Sequence, residues 1–177
     1  MSADITNLRS HTIPSIPGED LHAYRRSLGC FPTGITVMTA SDGDRRVGVT
    51  ANSFGSLSLD PPLVLWNLKL NAPSLPVFRD AGHFAVNVLA WHQREISQQF
   101  ATPLEDKFAG IDHETGIGGS ILLSGCAVTY ECQLVHEFVK GDHVVLIGEV
   151  QRFQDFHREP LIFFRGDHRF FEQPHVL

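Results

Sequence analysis

Residues 127–150 read AVTYECQLVHEFVKGDHVVLIGEV, and this stretch decides the fold. Its two ends, Ala127 to Val135 and His143 to Val150, are rich in β-branched and aromatic residues, which favour extended strands. Between them lies Lys140-Gly141-Asp142-His143, in which Gly-Asp suits a tight hairpin turn. The stretch therefore predicts two long antiparallel strands joined by a short turn.

Strand patterns recur on both sides of this hairpin. Ile35, Val37 and Thr39 share one face of a predicted strand that ends at a hairpin turn, Ser41-Asp42-Gly43-Asp44. The continuous apolar run Leu63 to Leu68 is typical of a strand buried on both faces. Further strands are predicted at 47–51, 54–60, 84–89 and 161–164, with Phe170-Phe171 near the end.

Helical patterns are few and short. Leu21, Tyr24 and Leu28 follow one another at helical spacing after the acidic pair Glu19-Asp20, which suits a helix N-terminus. Residues 71–80 are expected to form a short helix or turn and residues 93–100 a second helix, and the glycine-rich residues 101–120 predict a long surface loop. Many strands with so few helices favour a mainly β fold built as a closed antiparallel barrel.

The domain organisation is simple. Residues 1–17 contain two prolines and no period, so they are expected to form a flexible N-terminal arm. Residues 18–177 are long enough for one hydrophobic core and are expected to form a single domain.

Composition excludes several classes of function. The formal net charge of −6 opposes general binding to nucleic acid or to an anionic membrane. No stretch of about 18 apolar residues and no secretory leader pattern occurs, so a cytoplasmic protein without a membrane span is expected. Cys30, Cys126 and Cys132 have no CxxC spacing, and we expect Cys126 and Cys132 to be inert thiols that share one face of a strand.

Polar clusters at strand ends are the candidate sites. Thr50, Asn52 and Ser53 end an apolar strand, where they either cap a turn or face a ligand. A second cluster follows the run that ends at Leu68 and suits a phosphate site beside a helix N-terminus at Ala72 or Pro73, although a solvated loop would look similar. Its members are Asn67, Lys69, Asn71 and Ser74.

Two further clusters are more easily explained by structure alone. Asp106-Lys107-Phe108 would also fit a salt-bridged surface loop. The Gly-Asp-His tripeptide occurs twice, at 141–143 and at 166–168, and each copy suits a turn with a histidine beside it. No dinucleotide-binding glycine motif, P-loop, HExxH or GxSxG occurs, and no metal site is expected.

Six segments in order resemble the short-chain flavin reductases, the reductase components of two-component flavin-dependent monooxygenases. The matching segments span roughly residues 20–171 and are Phe31 to Val37, Gly48 to Phe54, Ser58 to Val64, Phe84 to Leu89, Asp106 to Phe108 and Gly141 to His143. The resemblance implies an antiparallel Greek-key split β-barrel of the FMN-binding type. It also implies a homodimer that passes a hydride from NADH or NADPH to FMN or FAD, and a separate monooxygenase that receives the reduced flavin.

The resemblance also assigns candidate residues. The implied flavin contacts are Thr33, Thr50, Ala51, Asn52, Ser53, Asn67, Lys69, Asn71, Ser74, Phe100, Lys107 and Phe108. Gly141, Asp142 and His143 are implied to contact NAD(P)H, and His168 is a weaker candidate. No catalytic side chain is obligatory, because the cofactors supply the hydride chemistry. The chain has only three lysines: Lys69 and Lys107 fall in the implied flavin segments, and Lys140 precedes the Gly-Asp-His turn, which favours a role for the scarce lysines in binding anionic cofactors.

Two other functions fit the same sequence. A flavin-binding electron carrier on this barrel would hold flavin but would not oxidise NAD(P)H. A heme or small-ligand barrel would use some of the ten histidines as ligands.

Overall fold

The computed structural model describes Pro14 and residues 16–170. The first helix, α1, is Leu21–Leu28, and its N-cap Asp20 accepts a hydrogen bond from the Ala23 amide, as the acidic start predicts. The predicted arm at 1–17 lies outside the described residues except for Pro14, Ile16 and Pro17, and Phe171 also lies outside them.

Twelve strands and two further helices follow among the described residues. Up to residue 101 lie β1 (Thr33–Gly34), β2 (Thr36–Ser41), β3 (Arg46–Ala51), β4 (Gly55–Leu59), β5 (Pro62–Lys69), α2 (Leu75–Ala81), β6 (His83–Val88) and α3 (Arg94–Ala101). After it lie β7 (His113–Thr115), β8 (Ile121–Leu123), β9 (Val128–Lys140), β10 (His143–Asp155), β11 (Ile162–Phe164) and β12 (Asp167–Arg169). The mainly β fold is confirmed, and so is the hairpin of residues 127–150.

Seven strands form one antiparallel sheet in the order β3-β2-β6-β9-β10-β5-β4. The sheet is strongly curled, as the distance between two rings shows: those of Trp66 on β5 and Phe84 on β6 lie 6.0 Å apart. Those strands are three places apart in the sheet, which would separate them by about 14 Å if the sheet were flat. The edge strands β3 and β4 are joined by only three residues, 52–54, so the two edges meet around the site described below.

The curled sheet separates two hydrophobic cores. Inside the curl, Met38, Trp66 and Leu146 belong to a core that α2 closes with Phe78. On the outside of the curl, Val37 of β2 belongs to a second core together with Phe100 of α3 and residues of β8. Neighbouring residues of β2 therefore face different cores, which explains why Thr36 to Ala40 are all buried.

Three expectations about local structure are wrong. Residues 101–120 are not all loop, because β7 pairs with β8 and Phe108 is buried. β5 is not buried on both faces, since its outer face carries Asn67 and Lys69, which are exposed. Cys126 and Cys132 do not share a face, because Cys126 precedes β9 and packs in the second core, while Cys132 packs in the first.

The two thiols are nevertheless buried and free, as expected. Burial raises the pKa of both Cys126 and Cys132 to about 12, so they stay protonated and inert at neutral pH. Among the described residues, no helix combines the length and the apolar character needed to cross a membrane.

Candidate functional site

A cleft of about 1450 Å³ lies where β3, the end of β5 and the β9–β10 turn approach one another. Typical pockets for one small ligand hold about 300–1,000 Å³, so this cleft has room for more than one. The residues that line it are Arg45 to Ser53, Asn67, Leu68, Lys69, Ala72, Pro73, Ser74, Ala101, Pro103 to Phe108, Lys140, His143 and Val145. Most of the predicted site residues are therefore brought together.

All three lysines of the chain line this cleft. The lining carries five basic side chains, Arg45, Arg46, Lys69, Lys107 and Lys140, and two acidic ones, Glu105 and Asp106. This excess of positive charge stands in a chain whose formal net charge is −6. The cleft is therefore suited to an anionic ligand.

One wall is formed by β3 and the residues that follow it. The Thr50 hydroxyl donates to the Ser97 carbonyl of α3 at 2.6 Å, so towards a ligand this side chain can only accept. The Ser53 hydroxyl accepts a hydrogen bond from the Asn67 amide at 3.0 Å, which fixes the 52–54 connection against β5. Asn52 is exposed at the cleft and makes no hydrogen bond to another described residue, so its amide can donate to a ligand.

The far end of β5 and the turn after it form a second wall. Lys69 is exposed at the end of β5, and Ser74 is nearly buried at the start of α2. The helix begins at Leu75, later than expected, because residues 69–72 first form a turn closed by the Ala72 amide and the Lys69 carbonyl. Asn71 lies in that turn and does not line the cleft.

Residues 102–108 form the third wall and are tied to β3 at two points. Lys107 Nζ donates to the carbonyls of Phe100 at 2.7 Å and Gly48 at 3.2 Å. Arg46 makes a bidentate pair with Asp106, with distances of 2.8 and 3.0 Å, and its guanidinium lies 5.0 Å from the centre of the Phe108 ring. Burial lowers the pKa of Lys107, whose ammonium serves these carbonyls rather than the open cleft.

The β9–β10 turn supplies the histidine of the site. His143 Nδ1 lies 2.8 Å from Asp142 Oδ1, which leaves Nε2 available for a ligand. The hydrogen bond and the charge of His143 hold the pKa of Asp142 below its ordinary value. Gly141 adopts φ of +60°, a conformation that the tight turn requires and that glycine adopts without strain.

Several candidate residues lie outside the cleft. Phe100 is fully buried in the second core, with its ring 5.0 Å from that of Phe108, and so supports the wall from behind. His168 lies 3.2 Å from the Ser97 hydroxyl, which places it behind α3, and burial lowers its pKa. Thr33, Gly141 and Asp142 do not line the cleft either.

Several lining residues are not among the predicted cofactor contacts. Arg45 and Arg46 follow the β2–β3 turn, and Lys140 and Val145 reach the cleft because β9 pairs with β10 and β10 pairs with β5. The scarcity of lysine was the one signal that pointed to Lys140. Pairing register, which brings the others into place, cannot be obtained from a single run of residues.

The arrangement suits a planar ring system with a phosphate tail. The side-chain amide and hydroxyl groups of Asn52, Ser53 and Asn67 line the cleft together with the positive charges of Lys69 and Lys140. Trp66, next to Asn67 on β5, packs its ring into the first core and leaves the cleft open. The residues present therefore fit a flavin.

Comparison with known proteins agrees with this geometry. Residues 28–172 match the family described as "Flavin reductase like domain". "FMN reductase (NADH) SmoA" of Agrobacterium fabrum is 38% identical over 84% of this chain and 85% of its own length. "Flavin-dependent monooxygenase, reductase subunit HsaB" of Mycobacterium tuberculosis is 38% identical over 84% of this chain and 81% of its own length.

A solved structure gives the same result. The NADH:FAD oxidoreductase SgcE6 of Streptomyces globisporus, in complex with NAD and FAD fragments, superposes with a TM-score of 0.86 at 34% identity. The superposition covers 93% of this chain and 99% of that one. The chain spans 48% and 64% of the lengths of two Rhizobium meliloti relatives that are 42% and 41% identical to it over 83% of this chain. On the family match, the identities and the shared fold, this chain belongs to the flavin reductase-like domain family.

Proposed function

We propose that this chain is an NAD(P)H:flavin oxidoreductase that reduces FMN or FAD and supplies the reduced flavin to a separate flavin-dependent monooxygenase. The observation that carries the proposal is the cleft. It brings together residues from the four candidate clusters of the sequence and all three lysines, around a space larger than one small ligand needs. The relatives SmoA, HsaB and SgcE6 support NADH, flavin and an oxygenase as the reaction's components by their names.

The protein's task in this reaction is to bind and orient. When flavin and NAD(P)H are bound together, the cofactors themselves supply the hydride transfer. Holding two reactants in the productive geometry can contribute about 7–11 kcal/mol of the barrier reduction, so no acid or base on the chain is required. We infer that Thr50, Asn52 and Ser53 bind the ring edge and that Lys69 binds a phosphate, since all four residues line the cleft.

We propose a second copy of the chain as the occupant of the outer face of β5, β10 and β9. Phe138, which is 56% exposed, pairs with Val145 on that face, and Leu65 pairs with Ile147 next to it. The same face continues into the cleft through Asn67 and Val145. A partner seated there would cover apolar surface and close one side of the site.

The cytoplasm is the proposed compartment. Three free cysteines and a nicotinamide nucleotide as reductant suit a reducing environment.

An anaerobic assay that crosses FMN, FAD and riboflavin with NADH and NADPH tests the proposed function. We expect catalytic loss of flavin absorbance with at least one pair, matched by oxidation of the nucleotide. A protein that binds flavin but oxidises neither nucleotide would instead be an electron carrier. Failure to oxidise NADH or NADPH with any flavin would contradict the proposal.

A further inference from the structure

Three basic side chains form a row across three neighbouring strands. In the sheet register, Lys69 on β5 lies directly opposite His143 on β10, and His143 lies directly opposite Lys140 on β9. Directly paired residues of antiparallel strands project from the same face of the sheet, with Cα atoms about 4.5–5.5 Å apart. The two lysines therefore flank the histidine on one face and stand about 10 Å apart at the Cα atoms.

All three side chains of this row line the cleft. Lys69 and Lys140 are exposed, and neither forms a salt bridge with a carboxylate of residues 16–170. The arginines of the cleft differ in this respect, because Arg45 pairs with Asp42 and Asp80, and Arg46 pairs with Asp106. The row is thus the part of the lining whose positive charge is left for a ligand.

One carboxylate stands beside the row. Asp142 accepts from His143 Nδ1 at 2.8 Å, and its side chain is 87% exposed. This contact orients the imidazole and directs Nε2 away from the carboxylate. The charge of Lys69 helps to lower the pKa of Asp142, but neither lysine forms a salt bridge with it or with another carboxylate of residues 16–170. Two ammonium groups match the two negative charges of a diphosphate better than they match a neutral ribose or ring.

We propose that Lys69, His143 and Lys140 form a site for the diphosphate group of a dinucleotide, with Lys140 as the residue that distinguishes dinucleotides from mononucleotides. This inference rests on the proposed function for the identity of the ligands, FAD or a nicotinamide dinucleotide. Lys69 lines the cleft together with Ser74 and, in this arrangement, contacts the phosphate of either kind of flavin. Lys140, on the far side of His143, is reached only by a ligand with a second phosphate.

The first experiment measures flavin binding without any nicotinamide nucleotide. Titration of flavin fluorescence gives the Kd of FAD and of FMN for the full chain and for Lys140→Gln, which removes the charge and leaves a polar side chain one atom shorter. If the diphosphate of FAD occupies the row, the Kd for FAD rises about tenfold and that for FMN changes less than twofold. Lys140→Arg is expected to restore most of the FAD affinity.

The second experiment tests the other source of a diphosphate. Steady-state reduction of FMN is compared with NADH and with reduced nicotinamide mononucleotide, which lacks the diphosphate. If the nicotinamide dinucleotide occupies the row, Lys140→Gln raises the KM for NADH about tenfold and leaves the KM for the mononucleotide unchanged. Arg26→Gln, which removes an exposed charge from α1 outside the cleft, is the matched control and should change neither value.

The outcomes separate this inference from the proposed function. If Lys140→Gln leaves every Kd and KM unchanged, or weakens FMN and FAD equally and both nicotinamide nucleotides equally, the diphosphate site is overturned while the reductase activity stands. If the unmodified chain oxidises neither NADH nor NADPH, the proposed function fails. The FAD and FMN titrations then still decide the role of Lys140.

Discussion

At the scale of single residues, His143 is the side chain whose effect on the two cofactors should differ most. Its Nδ1 lies 2.8 Å from Asp142 Oδ1, and the side chain lines the cleft in which we propose that the nucleotide binds. His143→Ala is expected to raise the KM for NADH about tenfold and to change the Kd for FMN less than twofold, since it removes one hydrogen-bonding group from the nucleotide side. Fluorescence titration and steady-state rates with FMN measure the two values. Equal weakening of both would mean that His143 supports the turn and not the nucleotide.

Glu131 gives a prediction about stability and pH. Its carboxylate is almost fully buried, and it accepts hydrogen bonds from the Arg152 guanidinium and from the Ile117 amide at 2.6 Å. Burial raises the pKa of Glu131, but the hydrogen bonds from Arg152 and Ile117 together lower it by more than burial raises it. The pKa therefore lies below its ordinary value of 4.5. The stabilisation is therefore complete above about pH 4.5 and is lost as the pH falls through the folded-state pKa.

Glu131→Gln should remove this contribution. We expect the variant to lose about 1–2 kcal/mol in free energy of unfolding at pH 7, and the difference from the original chain to shrink as the pH falls below 4.5. Urea denaturation between pH 7 and pH 3 measures both effects. Glu137→Gln is the control, because its pair with Arg79 is solvent-exposed and should contribute less than about 1 kcal/mol. An equally large difference at low pH would contradict the assignment.

At the scale of elements, one glycine lets α3 lie against β3. A Cβ atom at Gly48 would lie 2.3 Å from both Cδ1 and Cε1 of the Phe100 ring, which is fully buried and cannot move aside. Gly48→Ala is therefore expected to destabilise the fold by about 1–3 kcal/mol and to shift the wall that Lys107 ties to the Gly48 carbonyl. Thermal or urea denaturation measures the loss, and flavin titration measures the effect on the cleft.

Gly55 offers a matched control for that substitution. It is also a strand glycine, in β4, but a Cβ atom there would meet nothing within 4 Å. Gly55→Ala should therefore be neutral or slightly stabilising. A second variant, Gly48→Ala with Phe100→Leu, should recover part of the stability because the smaller side chain makes room. Similar losses for Gly48→Ala and Gly55→Ala would show that the contact with Phe100 is not the cause.

The elements also show what could be predicted from sequence. Alternation found β2, β3 and β6, and the Gly-Asp turn found the β9–β10 hairpin, because these signals are local. β7 and β8 have three residues each, too few for a period to be visible. The prediction that β5 is buried on both faces is wrong, because an apolar run does not reveal that one face of the curled sheet stays uncovered.

The part of the site that could be predicted from sequence consists of the residues at strand ends. Asn52, Ser53 and Lys69 combine polar side chains with such positions, and they do line the cleft. Phe100 was expected to line the cleft, but an aromatic residue on a helix packs equally well against a core. Its ring lies in the second core and against Gly48. Lys140 reaches the cleft through pairing across three strands, which spacing along the chain does not encode.

At the scale of the whole molecule, the placement of charge predicts that the attraction of an anionic cofactor weakens as the salt concentration rises. The chain is acidic overall, yet its three lysines all stand at one cleft. The exposed charges of Lys69 and Lys140 act on a ligand through water and are screened over about 10 Å at 0.1 M salt. Attraction of an anionic cofactor thus depends on the position of a few residues and not on the net charge.

The outer face of β5, β10 and β9 carries the last prediction, which concerns assembly. Stable dimers bury about 800 Å² per partner, and the exposed Phe138 stands on a face that continues into the cleft. Phe138→Glu should therefore convert a dimer into a monomer, because each partner would have to bury an unpaired carboxylate. Light scattering after size-exclusion chromatography measures the mass. Leu21→Glu, on α1 and 62% exposed, is the control and should stay dimeric. A monomeric unmodified chain, or dissociation by Leu21→Glu alone, would rule out this face as the interface.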